Sequence, residues 1–120
     1  MLPTQIAKKS DSDIEVRYRE PMDVVRDFKN GALRLRVLQY AAGDEVHGAW
    51  LTAELTNHGY RVSPGTLYPL LHRMQEAGLL KSRGEIADGR RVRLYRTTKR
   101  GKKVLADCRD VLTGLVAEVA

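Results

Sequence analysis

Cysteine is nearly absent. Cys108 is the one thiol among 120 residues, so no internal disulfide can staple the chain. His47, His58 and His72 stand too far apart, with no second cysteine beside them, for the ligand spacing of a zinc site. Neither a metal nor a cofactor is expected. The apolar residues never run to the roughly 18 consecutive positions that a membrane span needs, and the start of the chain lacks the apolar segment of a secretory leader. A cytoplasmic protein without a membrane partner is the expectation. The constellations of catalysis are missing too: no nucleophile paired with a base, no two carboxylates in apolar surroundings, no glycine-rich phosphate loop after a strand. Asp11, Asp13 and Glu15 lie in a polar stretch instead, and the sequence reads as that of a non-enzyme.

What is present is aliphatic and basic. Hydrophobic residues form 42 % of the chain, enough for a folded rather than a disordered protein. A domain of this length buries about two-thirds of its unfolded surface, so one modest core is expected, which a dimer would enlarge. The net charge of +6 is unevenly placed: residues 61–103 hold 12 Lys and Arg against Glu76, Glu85 and Asp88, for +9, while 1–60 and 104–120 carry −1 and −2. A positive field confined to one contiguous third of a domain suits a polyanion, because Lys and Arg there release counterions from phosphates. A solvated basic face is the plainer account of the same charges.

Hydrophobic periodicity divides the chain. In residues 13–19, Ile14, Val16 and Tyr18 alternate with charged residues, the period of a half-buried strand. Such a segment pairs with an edge of a sheet, lies across a partner subunit, or stays an unpaired arm. Pro21 suits a first helical position, and Val24, Val25 and Phe28 follow at helical spacing up to a break or kink at Asn30-Gly31. Leu33, Val37, Leu38 and Ala41 continue a core helix that ends near Gly43. A second helix, from His47 or Gly48 to His58, buries Leu51 and Leu55 and closes at Gly59, a C-terminal cap. A third spans 63–77, with Ser63 as N-cap and Pro64 first, burying Leu67, Leu70, Leu71 and Met74 before Gly78 stops it. Pro69 has no N–H for the bond to Gly65, so either this helix starts nearer Gly65 or Thr66 or its first turns bend. Residues 79–86 and 91–97 read as strands joined through Ala87-Asp88-Gly89-Arg90, where Asp-Gly signals a hairpin. Thr98 caps a last helix in which Leu105, Cys108, Leu112, Leu115 and Val119 follow the spacing of a heptad seam.

The expected class is therefore mostly α with a small β-hairpin, a winged helix-turn-helix with a C-terminal dimerisation helix. Residues 1–20 would form an arm or short strand, 21–97 the DNA-binding domain and 98–120 the dimerisation helix. With the apolar stripe of the third helix facing inward, Thr66, Tyr68, His72 and Arg73 point outward, able to meet base edges and phosphates in a major groove. Arg61 and Ser63 stand at the start of that helix, where exposed N–H groups favour a phosphate. Arg83, Arg90, Arg91 and Arg93 belong to the hairpin, where they add affinity more than sequence choice. Lys99, Arg100, Lys102 and Lys103 crowd the positive end of a helix dipole, which costs a few tenths of a kcal/mol each. A phosphate backbone close by would offset that cost, and salt would screen it on a free surface. Tyr68 either donates to a phosphate or packs against the wing. Trp50 is either a core residue or stacks on an effector. Cys108 is either a packed thiol or an intersubunit bridge.

The stretch Ser63-Pro64-Gly65-Thr66-Leu67-Tyr68-Pro69-Leu70-Leu71-His72-Arg73-Met74, continued by Glu76-Ala77-Gly78-Leu79-Leu80, resembles the recognition-helix signature of PadR-like transcriptional regulators nearly residue for residue. His47-Gly48 resembles that family's opening of the second helix, and Tyr95, Thr98 and Gly101 its passage from wing to last helix. Two positions depart: Ala49 follows His-Gly where an aromatic is usual, with Trp50 one place on, and Thr97 replaces an aliphatic. The resemblance implies a homodimer on a palindromic operator in double-stranded DNA, commonly a repressor released by a small aromatic or hydrophobic effector. It also implies dimerisation through the C-terminal helix, here a short one. A winged-helix module for protein or RNA contact is the alternative, since fold does not fix function.

Overall fold

The computed structural model describes residues 23–119, so the strand expected at 13–19 and the helix start at Pro21 lie outside the described residues. The chain divides into two units, 1–32 and 33–120. In the first, Asp23 caps helix α1 (Val24–Gly43), its Oδ1 accepting from the Arg26 N–H at 3.2 Å. Of the break or kink expected at Asn30-Gly31, the break does not occur, and α1 runs through it. Gly31 has open space around it and costs only about 1 kcal/mol of helix propensity, too little to interrupt a continuing ladder.

The second unit holds the core. Leu33, Val37, Leu38 and Ala41 of α1 are buried with Leu51 and Leu55 of α2 (Gly48–Asn57) and with Leu67, Leu70, Leu71 and Met74 of α3 (Pro64–Glu76). Val46, Val62, Leu80, Tyr95 and Leu105 complete this one cluster. Both α2 and α3 end in the same way. Gly59 and Gly78 adopt φ of +87° and +79°, a region that a Cβ disfavours, and each turn closes with paired backbone bonds. Tyr60 N–H reaches the Leu55 carbonyl at 2.9 Å and Leu79 N–H the Met74 carbonyl at 3.0 Å, which satisfies carbonyls that a helix end leaves open. Pro69 lies inside α3. The helix nevertheless begins at Pro64 and continues past it, at the loss of one N–H bond.

Strands β2 (Leu80–Ala87) and β3 (Arg90–Thr97) form the hairpin, in register from Ala87 opposite Arg90 to Leu80 opposite Thr97. The turn is shorter than expected: only Asp88 and Gly89, at φ of 53° and 75°, leave the ladder, as a type I′ turn requires. A further strand, β1 (Val46–His47), pairs with β3 at Tyr95 and Leu94, giving an antiparallel sheet in the order β1-β3-β2. Helix α4 (Lys99–Val119) follows. Its cap, Thr98, accepts from the Gly101 N–H at 3.0 Å and donates its hydroxyl to the Gly78 carbonyl at 2.6 Å, so one side chain joins the end of α3 to the start of α4. Thr97, where an aliphatic is usual, is 2 % exposed; its hydroxyl donates to the Leu38 carbonyl at 2.8 Å, which removes the cost of burying it. The fold is a winged helix-turn-helix, mostly helical with a small sheet, and among the described residues no helix is long and apolar enough to cross a membrane.

Candidate nucleic-acid interface

Burial of every third or fourth residue of α3 leaves Thr66, Tyr68, His72, Arg73 and Gln75 exposed along the rest of its surface. Ser63 caps in backbone conformation only: its hydroxyl lies 3.4 Å from Thr66 Oγ1 and makes no side-chain cap bond. His72 Nε2 is 3.5 Å from Glu76 Oε1, one helical turn on. Arg61 is exposed just before the helix.

Tyr68 is 43 % exposed, and one edge of its ring rests on the start of α2. A Cβ built on Gly48 would stand 2.6 Å from Tyr68 Cε1, so the missing side chain is what seats the ring. This supplies a physical reason for glycine after His47. The ring forms one wall of a groove of about 1000 Å³, whose other sides are His47, Gly48 and Ala49 at the α2 start and Arg90, Arg91, Arg93 and Tyr95 of β3. Burial raises the pKa of the Tyr95 phenol. Three arginines against the single acid Asp88 make the groove cationic. Gly48→Ala should displace the Tyr68 ring and weaken duplex binding about tenfold, the order of one missing hydrogen bond, while the thermal midpoint moves little because the ring can swing into solvent. Fluorescence anisotropy and a thermal melt on the same preparation check this.

The sequence-predicted cations do not all gather there. Arg83 is turned to the edge strand: its Nε and Nη2 donate to the two Glu45 carboxylate oxygens at 2.8 and 2.9 Å, and its Nη1 reaches Glu85 at 3.4 Å. These hydrogen bonds hold the Glu45 carboxyl below the usual carboxylate range, and Arg96 and Lys81 add to the effect. The pair therefore contributes above the ordinary glutamate pKa and is lost as pH falls through the lowered one. Arg83 thus ties β2 to the residue just before β1, past the intervening strand. Arg93 donates from Nη1 to Ser82 Oγ at 2.9 Å, and Ser82 donates to Gln75 Oε1 at 2.7 Å.

Sequence reasoning missed Glu45, whose partner lies 38 positions on, and Gln75 and Ser82, which the turn between α3 and β2 brings together. Nothing local marks Glu45, which follows Asp44 and meets Arg83 only through the fold.

Trp50 is 44 % exposed and meets Tyr40 edge-on at 5.5 Å, while Tyr40 stacks on His58 at 6.1 Å. It covers Tyr40, which is half-buried against the core, and so stands at the edge of the core rather than within it. Along α4, Leu105 is 4 % exposed and packs in this chain's own core, and Cys108 is half-buried. Leu112, Leu115 and Val119 are 40, 43 and 77 % exposed. The outward seam therefore starts beyond Leu105. Lys99, Arg100, Lys102 and Lys103 are exposed on the first turn, with Lys103 Nζ 3.7 Å from Asp107.

Comparison with known proteins adds to this geometry. The model of the transcriptional regulator PadR-like family matches residues 37–107. The transcriptional regulator Rv3488 of Mycobacterium tuberculosis is 54 % identical over 95 residues, 79 % of this chain and 89 % of that protein. A PadR family transcriptional regulator from Eggerthella lenta has a structure that superposes with a TM-score of 0.71 at 30 % identity, over 81 % of this chain and 86 % of that one. Bacillus subtilis PadR in complex with operator DNA superposes with a TM-score of 0.58 at 21 % identity, over 63 % of this chain and 46 % of that one, a likeness of fold.

Proposed function

This chain belongs to the PadR-like family of transcriptional regulators, and from that premise we propose that it binds double-stranded DNA sequence-specifically, as a homodimer on a palindromic operator. It is a transcriptional regulator and not an enzyme. The observation that carries the DNA reading is the groove in which Tyr68 of α3 faces the arginines of β3, beside the exposed Thr66, His72 and Arg73 of the same helix. Thr66 and His72 face the bases; Arg61, Ser63, Tyr68 and Arg73 hold phosphates around them, and Arg90, Arg91 and Arg93 reach the flanking backbone. Arg83, already paired with Glu45, supports the wing and does not enter the contact. Two such helices related by a dyad address half-sites about 34 Å apart. The solved complex of Bacillus subtilis PadR with operator DNA supports this reading by analogy of fold. In the same reading the protein acts in the cytoplasm as a repressor, released by a small aromatic or hydrophobic effector that stacks on Trp50.

Titration of an operator selected from genomic fragments, a random duplex and a structured RNA, each at several salt concentrations, tests the proposal. Arg90→Ala combined with Arg91→Ala should weaken both duplexes alike and flatten the salt dependence by about 0.9 for each phosphate no longer neutralised. Thr66→Ala or His72→Ala should instead reduce preference for the operator over the random duplex, by about 1 kcal/mol or more. Equal wild-type affinity for all three nucleic acids would reject sequence-specific readout. A wing variant with unaltered affinity and slope would remove the wing from the interface.

A further inference from the structure

The link between Arg93, Ser82 and Gln75 joins three elements. Arg93 stands opposite Gly84, and Ser82 opposite Tyr95, so the arginine reaches its hydroxyl partner diagonally across the hairpin. The guanidinium passes beside Gly84, where a Cβ would lie 3.7 Å from Arg93 Nη2, an ordinary van der Waals distance. From there Nη1 donates to Ser82 Oγ at 2.9 Å. The Ser82 hydroxyl, using its single proton in the other direction, donates to Gln75 Oε1 on α3 at 2.7 Å. All donors run the same way, from the cation through the hydroxyl to the amide oxygen, an order in which each bond polarises the next. Arg93 lines the groove beside Tyr68, and its Nε and Nη2 are not used in this link.

We propose that Ser82 and Gln75 are positioning residues, which touch no nucleic acid themselves and hold the Arg93 guanidinium ready for a phosphate at a fixed distance from the recognition helix. The inference rests on the DNA-binding reading above. A free arginine loses rotamer entropy on docking, and one already tethered at Nη1 loses less of it. Because the tether ends on α3, the same bonds set the spacing between the helix that reads bases and a cation that grips the backbone.

Anisotropy titrations of a mixed-sequence duplex of about 30 base pairs, long enough for two half-sites, separate the outcomes. Ser82→Ala should bind about three- to tenfold more weakly, the cost of ordering one long side chain anew, with its salt slope unchanged because the phosphate contact still forms. Arg93→Ala should lower the slope itself, by about 0.9 per protomer. Adding Ser82→Ala to Arg93→Ala should change nothing further, and Ser82→Thr, which keeps the hydroxyl, should bind as wild type. An equal loss from Ser82→Ala with and without Arg93 would reveal a general loosening of the sheet and overturn the proposal. So would a Ser82→Ala protein indistinguishable from a wild type that binds. A wild type that fails to bind the duplex at low salt would overturn the DNA reading and this inference together.

Discussion

Gly101→Ala should destabilise the winged helix by about 3 kcal/mol or more and lower its thermal midpoint by more than about 10 °C. A Cβ at this position would overlap the Leu79 carbonyl oxygen and stand 2.7 Å from Thr97 Cγ2. Neither neighbour can give way cheaply. The Leu79 carbonyl accepts the Thr98 N–H at 3.0 Å, and Thr97 is held by its bond to Leu38. The Gly101 N–H is itself committed to Thr98 Oγ1. Relief would require α4 to back away from the sheet, and that would open the bonds by which Thr98 ties the end of α3 to the start of α4. Gly114→Ala, on the same helix but in open space, is the control: alanine is favoured there by about 1 kcal/mol, so its midpoint should hold or rise. Two melts, followed by far-ultraviolet circular dichroism, decide the matter. Equal midpoints for the two variants would mean that the contact between α4 and Leu79 is not close in solution.

Elements whose signals are local were legible from the residues alone. Asp88-Gly89 announced its hairpin because both residues must take positive φ, and Gly59 and Gly78 announced helix ends for the same reason. The stripe Leu67, Leu70, Leu71 and Met74 announced which side of α3 turns inward, and hence which side is free. What escaped depends on residues far apart in the chain. A two-residue strand such as β1 is too short to show a period, and β3 alone defines it. Arg83 looks like every other cation of the wing until the fold brings Glu45, 38 positions earlier, to its guanidinium. Ser82 and Gln75 are ordinary polar residues until a turn at Gly78 sets them side by side. Asn30-Gly31 misled in the opposite sense, since a breaker inside a helix costs too little to overrule the turns around it. The heptad of α4 shows the deepest ambiguity: periodicity reports that a face is apolar without saying which molecule covers it, and the one face serves the chain's own core at Leu105 and points outward by Leu112.

That outward portion carries the second large effect. Leu112→Lys should convert the proposed dimer to monomers and weaken operator binding by about a hundredfold or more. Val111, Leu112, Leu115, Val116 and Val119 are between 40 and 77 % exposed in a single protomer, an apolar run along the last turns of a helix whose first turns already pack on the core. Covering such a surface gains roughly 25 cal/mol per Å², and a second copy of α4 offers a surface of matching character and length. Across a two-fold axis one substitution appears twice. Leu112→Lys would therefore bring two ammonium groups into an interface with no carboxylate on the seam to receive them, at about 3–5 kcal/mol for an uncompensated buried charge. In the homodimer proposed above, the loss would reach DNA affinity, because a monomer would engage one half-site and forfeit the high effective concentration of its linked partner. Asp110→Lys supplies the control: it also adds positive charge, but on an exposed position off the seam, and it should remain dimeric. Light scattering at micromolar protein and operator titration of both variants distinguish the cases. A Leu112→Lys protein that still scatters as a dimer would locate the interface on another surface.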